Sequence, residues 1–552
     1  MASRASFSSS IRRRSRCRRH RRVRPSVRSL ASRPLTVGSA VEVFTIPRVS
    51  VTLGKRDTRH LKIFDGSTHD FRSVSEPTAA HIKHTNHRSH QAPRKSRSTP
   101  VMSSEPTIQP ASDPTAPRQL RSAWVVAGNR TPFARAGGPY ASTSVQEMFT
   151  AALDGLVART GIAGERLGAV AGGAVLKQPK AFNLVRESVL GSALDPQTPG
   201  IDVQQACATG METTSLIANK IRCGQIDAGV AGGVDSASDA PIVVGEGLRK
   251  VLLQLNRAKT PKDKLKALAK LRPGDLAPVA PGVAEPRTGL SMGEHQALTT
   301  AQWGITRQAQ DEIAANSHHN LAAAWDSGFF DDLVTPFRGL TKDNNLRPDT
   351  SVEKLGGLSP VFGKNLETDP TMTAGNSTPL TDGASAILLA TAEWAEEHNL
   401  PKLAEIVDAE TAAVDFVDGN EGLLMAPAYA APRLLARNGL KLQDIDLVEI
   451  HEAFASTVLT ILAAWEDADF CKVNLGLDEP VGVLDRSRLN VRGSSLAAGH
   501  PFAATGTRVV ATLSKELKAR AVAENRPVTG LISVCAAGGQ GAVALLRAYP
   551  ES

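Results

Sequence analysis

The chain has 552 residues, of which 41% are hydrophobic, so it is long enough for two or three domains of ordinary globular composition. Its net charge of +9 originates in one region: residues 1–101 hold 23 Lys/Arg and 5 Asp/Glu, whereas the rest of the chain holds 41 and 50. The larger part is therefore mildly acidic, which argues against a nucleic-acid partner. No apolar run reaches the ~18 residues that a membrane-spanning helix needs.

Residues 1–117 are predicted to be a disordered basic leader outside the fold, because they show no sustained hydrophobic period. Two explanations stay open. An Arg- and Ser-rich start with no acid before Glu42 is typical of a mitochondrial transit peptide and predicts a matrix location. Alternatively, Met102 is the true start and the preceding amino-acid sequence is a translation of upstream DNA. This explanation predicts a cytoplasmic, bacterial-type protein. We favour the second explanation.

The cysteines do not form a recognisable framework. Their number is odd and no two have CxxC spacing, which fits neither a set of disulfides nor a zinc site. We therefore expect free thiols in a reducing compartment and no metal site. The five cysteines are Cys17, Cys207, Cys223, Cys471 and Cys535.

Strands and helices are predicted to alternate from about residue 120 onward. This alternation indicates an α/β protein with a mostly parallel sheet covered by helices. Gly232–Gly233 is expected to end the third strand. The predicted strands are 123–127, 169–175, 228–231, 446–450 and 531–534, and the predicted helices are 145–159, 182–190, 208–222 and 503–517.

Two segments far apart in the chain share one order of features. Both Ala206–Gly233 and Ala503–Gly539 contain Ala-Thr-Gly, a helix, a strand and a final Gly-Gly pair. Two such copies predict two similar halves and not a solenoid. Between them, residues 241–369 are rich in Pro, Lys and Asn and poor in strand signals, which is typical of an inserted, loop-rich domain.

Four segments place reactive side chains at the ends of predicted elements. Cys207 lies ahead of a helix, where free N–H groups and the helix dipole favour a thiolate. His500 also precedes a helix, between a glycine and a proline that fix the chain direction. His451 and Cys535 lie at strand ends, and Cys535 is expected to keep an ordinary thiol pKa of ~8.5. Taken alone, each residue is more often an ordinary buried side chain.

Together, in this order and with these neighbours, the four segments resemble the thiolase superfamily over about residues 120–550. Further matching segments are Arg130–Phe133 (RTPF) and Thr373–Ser377 (TAGNS). Within the superfamily the chain is most similar to β subunits of fatty-acid oxidation (trifunctional) complexes. It shares with them His-Glu-Ala-Phe at 451–454, where most thiolases begin with Asn, and a long basic insertion before Met292.

The resemblance implies an α/β, thiolase-like duplicated, layered α-β-α-β-α fold with an inserted loop domain. The leader would occupy residues 1–117. The thiolase N-terminal domain would span 118–396 and contain the loop-domain insertion 239–372. The thiolase C-terminal domain would span 397–552.

The resemblance also implies an acetyl-CoA C-acyltransferase, which cleaves 3-ketoacyl-CoA with CoA to acetyl-CoA and a shortened acyl-CoA in fatty-acid β-oxidation. Cys207 would be the nucleophile, His500 its base, and Cys535 the general acid and base. The backbone N–H groups of Cys207 and Ala537 would form one oxyanion hole, and His500 with a water held by His451 the other.

Substrate-binding residues are implied less specifically. Ser494 replaces a glycine that is usual in the family, which alters the expected backbone ahead of His500. The implied substrate contacts are Met292, Asn376, Ser377 and Phe454.

The expected partners are 3-ketoacyl-CoA and CoA, with CoA as a substrate and no cofactor. The resemblance implies a homodimer or homotetramer and a complex with a hydratase–dehydrogenase α subunit, but no nucleic acid. The basic stretch Lys259–Arg272 is either a solvated surface helix or a contact with CoA phosphates, a partner subunit or an anionic membrane surface. Alternative functions are an acetyl-CoA C-acetyltransferase that makes acetoacetyl-CoA, and a thiolase-like lipid-binding or scaffold protein without activity.

Overall fold

The structure is a computed structural model that describes residues 120–282 and 284–551, so the predicted leader lies outside the described residues. Among these residues, no helix is both long and apolar enough to cross a membrane. The strands are β1 (Trp124–Arg130), β2 (Ala134–Arg135), β3 (Ala169–Gly172), β4 (Gly200–Asp202), β5 (Ala228–Ser236), β6 (Val243–Val244), β7 (Pro278–Val279), β8 (Thr381–Ala390), β9 (Ala404–Ala413), β10 (Leu447–Ile450), β11 (Val528–Ala536) and β12 (Gln540–Ala548). The helices are α1 (Val145–Thr160), α2 (Leu184–Leu190), α3 (Thr209–Arg222), α4 (Glu246–Arg257), α5 (Pro261–Leu268), α6 (Met292–Gln302), α7 (Arg307–Asp326), α8 (Val352–Gly356), α9 (Ala392–Glu397), α10 (Ala426–Arg437), α11 (Ala455–Glu466), α12 (Ala468–Asn474), α13 (Ser495–Ala498) and α14 (Thr505–Glu524).

Ten strands form one mixed sheet in the order β10-β11-β12-β9-β1-β8-β5-β3-β4, with β2 paired to β8. The pairs β3–β4, β3–β5 and β10–β11 are parallel. The remaining pairs in this sheet are antiparallel. The predicted α/β architecture is confirmed, while the parallel direction is confined to strands near the two edges of the sheet.

Alternate residues of one strand face different helices, as the two-residue period of a strand requires. On β8, Ile387 and Leu389 pack in the core formed with α3 and α14, whereas Leu388 packs in the core formed with α1 and α2. On β12, Ala544 faces α3 and α14, whereas Val543 faces α10 and α11. The helices and the two halves of the sheet therefore form the predicted α-β-α-β-α layers, with α3 and α14 in the middle.

The glycine pair of β5 does not end the strand. The strand continues through Gly232 and Gly233 to Ser236, so the prediction of a strand end there is wrong. A Cβ at Gly232 would lie 2.5 Å from the Phe149 ring of α1, and one at Gly233 would collide with the carbonyl oxygen of Ala503. These positions lack side chains because a helix and a loop pack directly on the strand.

Between β5 and β8 the chain leaves the sheet and forms α4 to α8 and the short antiparallel pair β6–β7. This segment contains more helix than the loop-rich insertion that we expected. The helices α4 and α5 bury only Val251 and Ala267, so they pack against the rest of the fold over a small area. The bounds of the insertion and the other domain boundaries stay predictions.

Candidate active site

Cys207 lies in a tight turn immediately before α3. Ala206 has φ of 46°, in the left-handed region that a β-carbon disfavours. The hydroxyl oxygen of Thr209 accepts a hydrogen bond from the Gln205 N–H at 2.9 Å, and the hydroxyl donates to the Ala206 carbonyl at 2.7 Å. These two bonds hold the strained turn that carries Cys207.

The first turns of α3 and α14 contact each other through glycine. A Cβ at Gly210 of α3 would lie 2.7 Å from the backbone nitrogen of Thr507, and one at Gly506 of α14 would collide with the backbone nitrogen of Met211. Glycine at both positions therefore lets the two helices approach backbone to backbone. This contact brings the turn of Cys207 beside the segment that carries His500.

The strands β10 and β11 deliver two further residues to the same edge of the sheet. They are parallel neighbours, and His451, which follows β10, donates its backbone N–H to the Ser533 carbonyl at 2.8 Å. Cys535 lies at the carboxyl end of β11. The turn after it contains Gly538 and Gly539 with φ of 79° and 72°, conformations that glycine adopts without strain.

The two cysteines lie close together. The backbone N–H of Ala537 faces the Cys207 sulfur and partly offsets the main effect, burial, which raises the pKa of the Cys207 thiol to about 12. Asp235, also buried, raises this pKa further. Burial, and then the neighbouring Cys207, raise the pKa of Cys535 as well. Both thiols are therefore protonated at neutral pH.

Two expectations about these thiols are wrong for the free protein. The start of α3 does not make Cys207 a thiolate, because the loss of hydration outweighs the nearby N–H groups. Cys535 does not keep an ordinary thiol pKa, because it is equally enclosed. Cys207 consequently needs a base to react as a nucleophile.

His451 and His500 form a pair of neutral imidazoles. Their ring centroids lie 4.1 Å apart, and both side chains are buried. Burial and the charge of Arg508 lower the pKa of His500 to about 3. Burial, His500 and Arg508 lower the pKa of His451 well below its ordinary value. Neither Nε2 atom has a hydrogen-bond partner among the described residues.

The hydroxyl of Thr505 fixes the orientation of the His500 ring. It contacts Nδ1 of His500 and lies 3.2 Å from the Pro501 carbonyl. Both contacts are hydrogen bonds when the hydroxyl donates to the carbonyl and accepts from Nδ1–H. In that arrangement Nε2 of His500 carries a lone pair and can act as a base.

The predicted substrate contacts Met292, Ser377 and Phe454 lie beside Cys535. Met292 begins α6 and packs with Phe454 and Cys535 in one apolar cluster. Ser377 pairs with Phe454 through the backbone, and its hydroxyl has no partner among the described residues. Phe362 of the insertion packs edge-on against Phe454, with ring centroids 5.9 Å apart. This cluster provides an apolar wall beside the thiols.

The fourth predicted contact, Asn376, is held by the protein itself. Its amide oxygen accepts from the Thr373 N–H at 2.7 Å, and its amide nitrogen donates to Asp311 at 2.9 Å. Asn376 thus supports the loop that carries Ser377, and its role as a substrate contact stays a prediction.

Sequence reasoning missed several residues of the site. Glu285 of the insertion accepts the backbone N–H of Gly538 at 2.7 Å, next to Ala537. Thr505 and Phe362 were also not singled out for a role. Thr505 belongs to the repeated Ala-Thr-Gly motif, which was the available signal, whereas Glu285 and Phe362 lie in a segment without a motif. Among the described residues, no group of three or more side chains is arranged to hold a metal ion.

Comparisons with known proteins agree on one family. The family model described as thiolase, N-terminal domain, matches residues 123–393, and the model described as thiolase, C-terminal domain, matches residues 400–548. A 3-ketoacyl-CoA thiolase of Pectobacterium carotovorum subsp. carotovorum (strain PC1) is 40% identical over 431 residues, which cover 77% of this chain and 96% of that protein. A 3-ketoacyl-CoA thiolase of Yersinia enterocolitica is 37% identical over 440 residues, 79% of this chain and 98% of that protein.

Solved structures give the same result. The crystal structure of human mitochondrial 3-ketoacyl-CoA thiolase matches with a TM-score of 0.63 and 26% identity, over 78% of this chain and 100% of that one. The Bacillus anthracis acetyl-CoA acetyltransferase matches with a TM-score of 0.63 and 28% identity, over 78% of this chain and 99% of that one.

Proposed function

Because the chain belongs to the thiolase family, we propose that it is a 3-ketoacyl-CoA thiolase, an acyltransferase that cleaves 3-ketoacyl-CoA with CoA in fatty-acid β-oxidation. The observations that carry this proposal are a pair of neighbouring thiols and a pair of neighbouring neutral imidazoles, brought together by the α3–α14 contact and by the parallel pair β10–β11. Cys207 lies beside Cys535 and the Ala537 N–H, and His500 lies beside His451.

In the first half-reaction, Nε2 of His500 accepts the proton of Cys207 while the sulfur attacks the 3-keto carbon. The backbone N–H groups of Cys207 and Ala537 stabilise the resulting oxyanion. The bond between C2 and C3 then breaks, and its electron pair forms the enolate of acetyl-CoA. His451 and His500 stabilise the enolate oxygen, and Cys535 protonates C2.

In the second half-reaction, the Cys535 thiolate that remains takes the proton of an incoming CoA thiol. The CoA sulfur attacks the acyl thioester on Cys207, and the same N–H groups stabilise the second oxyanion. Collapse of this intermediate expels the Cys207 sulfur, which regains its proton from His500. The products are acetyl-CoA and an acyl-CoA shortened by two carbons.

Two other functions use the same fold. An acetyl-CoA C-acetyltransferase would run the reaction toward acetoacetyl-CoA, and one matching structure bears the name acetyl-CoA acetyltransferase. A non-catalytic lipid-binding or scaffold protein would need none of the four reactive side chains. The apolar wall of Met292, Phe362 and Phe454 supports a substrate with an acyl chain.

The test of the proposal is CoA-dependent loss of 3-ketoacyl-CoA absorbance with chains of increasing length, with acetyl-CoA identified by mass. Cys207→Ala should abolish turnover, because an alanine has no nucleophile. Cys471→Ala is the control, since it removes a buried thiol that lies outside the site. Activity with acetoacetyl-CoA alone would favour the acetyltransferase, and no cleavage of any substrate would favour the non-catalytic alternative.

The partners are proposed from the family. We expect a homodimer or homotetramer, and a complex with a hydratase–dehydrogenase subunit that would supply the 3-ketoacyl-CoA. Light scattering of the purified protein, alone and with such a subunit, measures both assemblies. A monomer in each experiment would contradict both proposals.

A peripheral membrane contact is proposed for the basic stretch Lys259–Arg272. It contains α5, where Leu265 and Leu268 are exposed, and α4 nearby exposes Leu252 and Leu253. Exposed leucines next to lysines suit the surface of an anionic bilayer. The protein should co-sediment with anionic vesicles and not with neutral vesicles. Absence of binding to either kind of vesicle would exclude the membrane contact.

A further inference from the structure

Ser495 connects His451 to a buried ion pair. The Ser495 hydroxyl oxygen lies 2.8 Å from Nδ1 of His451, and it accepts a hydrogen bond from Nη2 of Arg508 at 2.8 Å. Arg508 in turn forms an ion pair with Glu449 at 3.2 Å. All four residues are at most 3% exposed.

This arrangement determines which nitrogen of His451 carries the proton. A hydroxyl has one hydrogen to donate, and the Arg508 guanidinium has no lone pair to accept it. Nδ1 of His451 is then the acceptor that remains for the Ser495 hydroxyl among the described residues. A neutral imidazole that accepts at Nδ1 carries its hydrogen on Nε2. Nε2 has no partner among the described residues, and the His451 ring centroid lies 4.1 Å from that of His500.

The ion pair is itself fixed by neighbouring hydroxyls. Ser494 donates to Glu449 at 2.9 Å and accepts from Arg508 at 3.3 Å. The serine that replaces the usual family glycine therefore links the two charges. The Arg508 guanidinium donates to both Ser494 and Ser495. If the Ser495 hydroxyl rotated, its oxygen would lose the hydrogen bond from this charged donor.

We propose that Ser495 is a positioning residue which, oriented by Arg508 and Glu449, holds His451 as the tautomer with its hydrogen on Nε2. His451 then donates a hydrogen bond to the thioester oxygen of the substrate, directly or through one water, as the enolate charge develops. Thr505 holds the neighbouring His500 in the opposite tautomer, so one imidazole donates while the other accepts. The catalytic part of this inference rests on the proposed thiolase reaction.

The kinetic test compares the effect of one mutation in two backgrounds. Ser495→Ala should lower kcat by about 10- to 100-fold and leave KM within about twofold, because the lost donor acts on charge that develops in the transition state. In a His451→Asn background the same mutation should change kcat by less than about threefold, because an amide donates without a tautomer to be set. Ser514→Ala, which removes a buried hydroxyl that has no hydrogen-bond partner among the described residues, is the control and should behave as wild type.

Equal loss in both backgrounds would show a merely structural role for Ser495, and wild-type kcat in the single variant would remove it from the site. A second measurement needs neither activity nor a variant. Neutron diffraction from crystals of the perdeuterated wild-type protein should show deuterium on Nε2 and none on Nδ1 of His451. Deuterium on Nδ1 overturns the proposal. If the wild type cleaves no 3-ketoacyl-CoA, the proposed function fails, and the neutron map still decides the tautomer.

Discussion

At the scale of single residues, the reactive groups of the free protein are all uncharged. Burial keeps Cys207 and Cys535 as thiols and keeps His451 and His500 as neutral imidazoles. The thiolate–imidazolium pair is therefore the minor form of the free protein, and His500 must take the proton of Cys207 within the reaction cycle. The two oxyanion holes matter in this site because they stabilise the negative charge that forms on the substrate.

Cys535→Ala should block the full cycle. The variant lacks both the acid that protonates the acetyl-CoA enolate and the base that activates CoA, and losing a proton-transfer group typically costs about 100- to 10,000-fold. The measurement is turnover with 3-ketoacyl-CoA and CoA, with Cys471→Ala as the control for removing a buried thiol. Turnover within about threefold of wild type would make Cys535 a structural thiol.

The same variant isolates the ionisation of Cys207. Because the pKa of this thiol is raised to about 12, the thiolate fraction should rise about tenfold per pH unit below that value. Alkylation of Cys207 by iodoacetamide should be slow at pH 7 and accelerate by this factor up to pH 10, with the site mapped by peptide mass. A rate independent of pH would show that a thiolate–imidazolium pair already exists in the free protein.

The motifs predict which residues are catalytic, a prediction that stays open, but they do not predict the protonation states of those residues. The sequence places Cys207 before a helix and therefore suggests a lowered pKa, yet the raised pKa comes from enclosure by residues distant in the chain. Likewise, nothing near His451 in sequence indicates that Arg508 and Ser495 determine its tautomer. These properties arise only when the two halves of the molecule pack together.

At the scale of elements, the crossing of α3 and α14 decides whether the site assembles. Gly210 and Gly506 allow the first turns of these helices to touch, and the turns adjoin Cys207 and His500. A shift of about 1 Å between catalytic groups is enough to cost about two orders of magnitude in rate. The glycines at this crossing therefore belong to the catalytic geometry although they carry no reactive group.

Gly506→Ala should lower both stability and activity. The added Cβ would collide with the backbone of Met211, and overpacking of this kind typically costs about 1–3 kcal/mol in the free energy of unfolding. We expect kcat to fall at least about tenfold, because the helices that carry Cys207 and His500 must separate. The control is Gly356→Ala in α8, where a Cβ would meet nothing within 4 Å.

Urea unfolding and steady-state turnover measure the two effects for each variant. The control should retain wild-type activity and lose no stability, since alanine favours a helix by about 1 kcal/mol over glycine. Wild-type kcat in Gly506→Ala would mean that the crossing tolerates separation and does not set the catalytic distance.

Elements with clear end signals were predicted well. The helix α1 was predicted at 145–159 and observed at Val145–Thr160, because Ser144 and Glu147 form a capping box and Gly161 ends it in a left-handed conformation. The predicted end of β5 at Gly232–Gly233 was wrong, because these glycines allow close packing on the strand and do not form a turn. A single sequence does not show which residue packs against a glycine. It therefore does not tell whether the glycine serves a turn or close packing.

At the scale of the whole molecule, the site draws on three parts of the chain. The N-terminal half supplies Cys207, and the C-terminal half supplies His451, His500 and Cys535. The segment between β5 and β8 adds Glu285, which holds the turn next to Ala537. The duplicated order of features in the sequence predicted two halves correctly. The contact of the inserted segment with the turn next to Ala537 could not be predicted from the sequence.

A protein that begins at Met102 should have the same specific activity as the full chain, because the thiolase match begins at residue 123. Turnover of the two purified proteins, compared within about twofold, measures this.

We propose a cytoplasmic location for the protein, with the mitochondrial matrix as the alternative. Mass spectrometry of the native protein tests the leader: a start near 102 fits either explanation, whereas an intact Met1 contradicts both.

The enclosure of Cys207 has a consequence beyond catalysis. Peroxides oxidise the thiolate form of cysteine, and oxidation past the sulfenic acid is generally irreversible. With a pKa of about 12, the resting enzyme exposes almost no thiolate at neutral pH. The neutral thiol therefore slows oxidative damage between turnovers, and during turnover the sulfur is held as the acyl thioester.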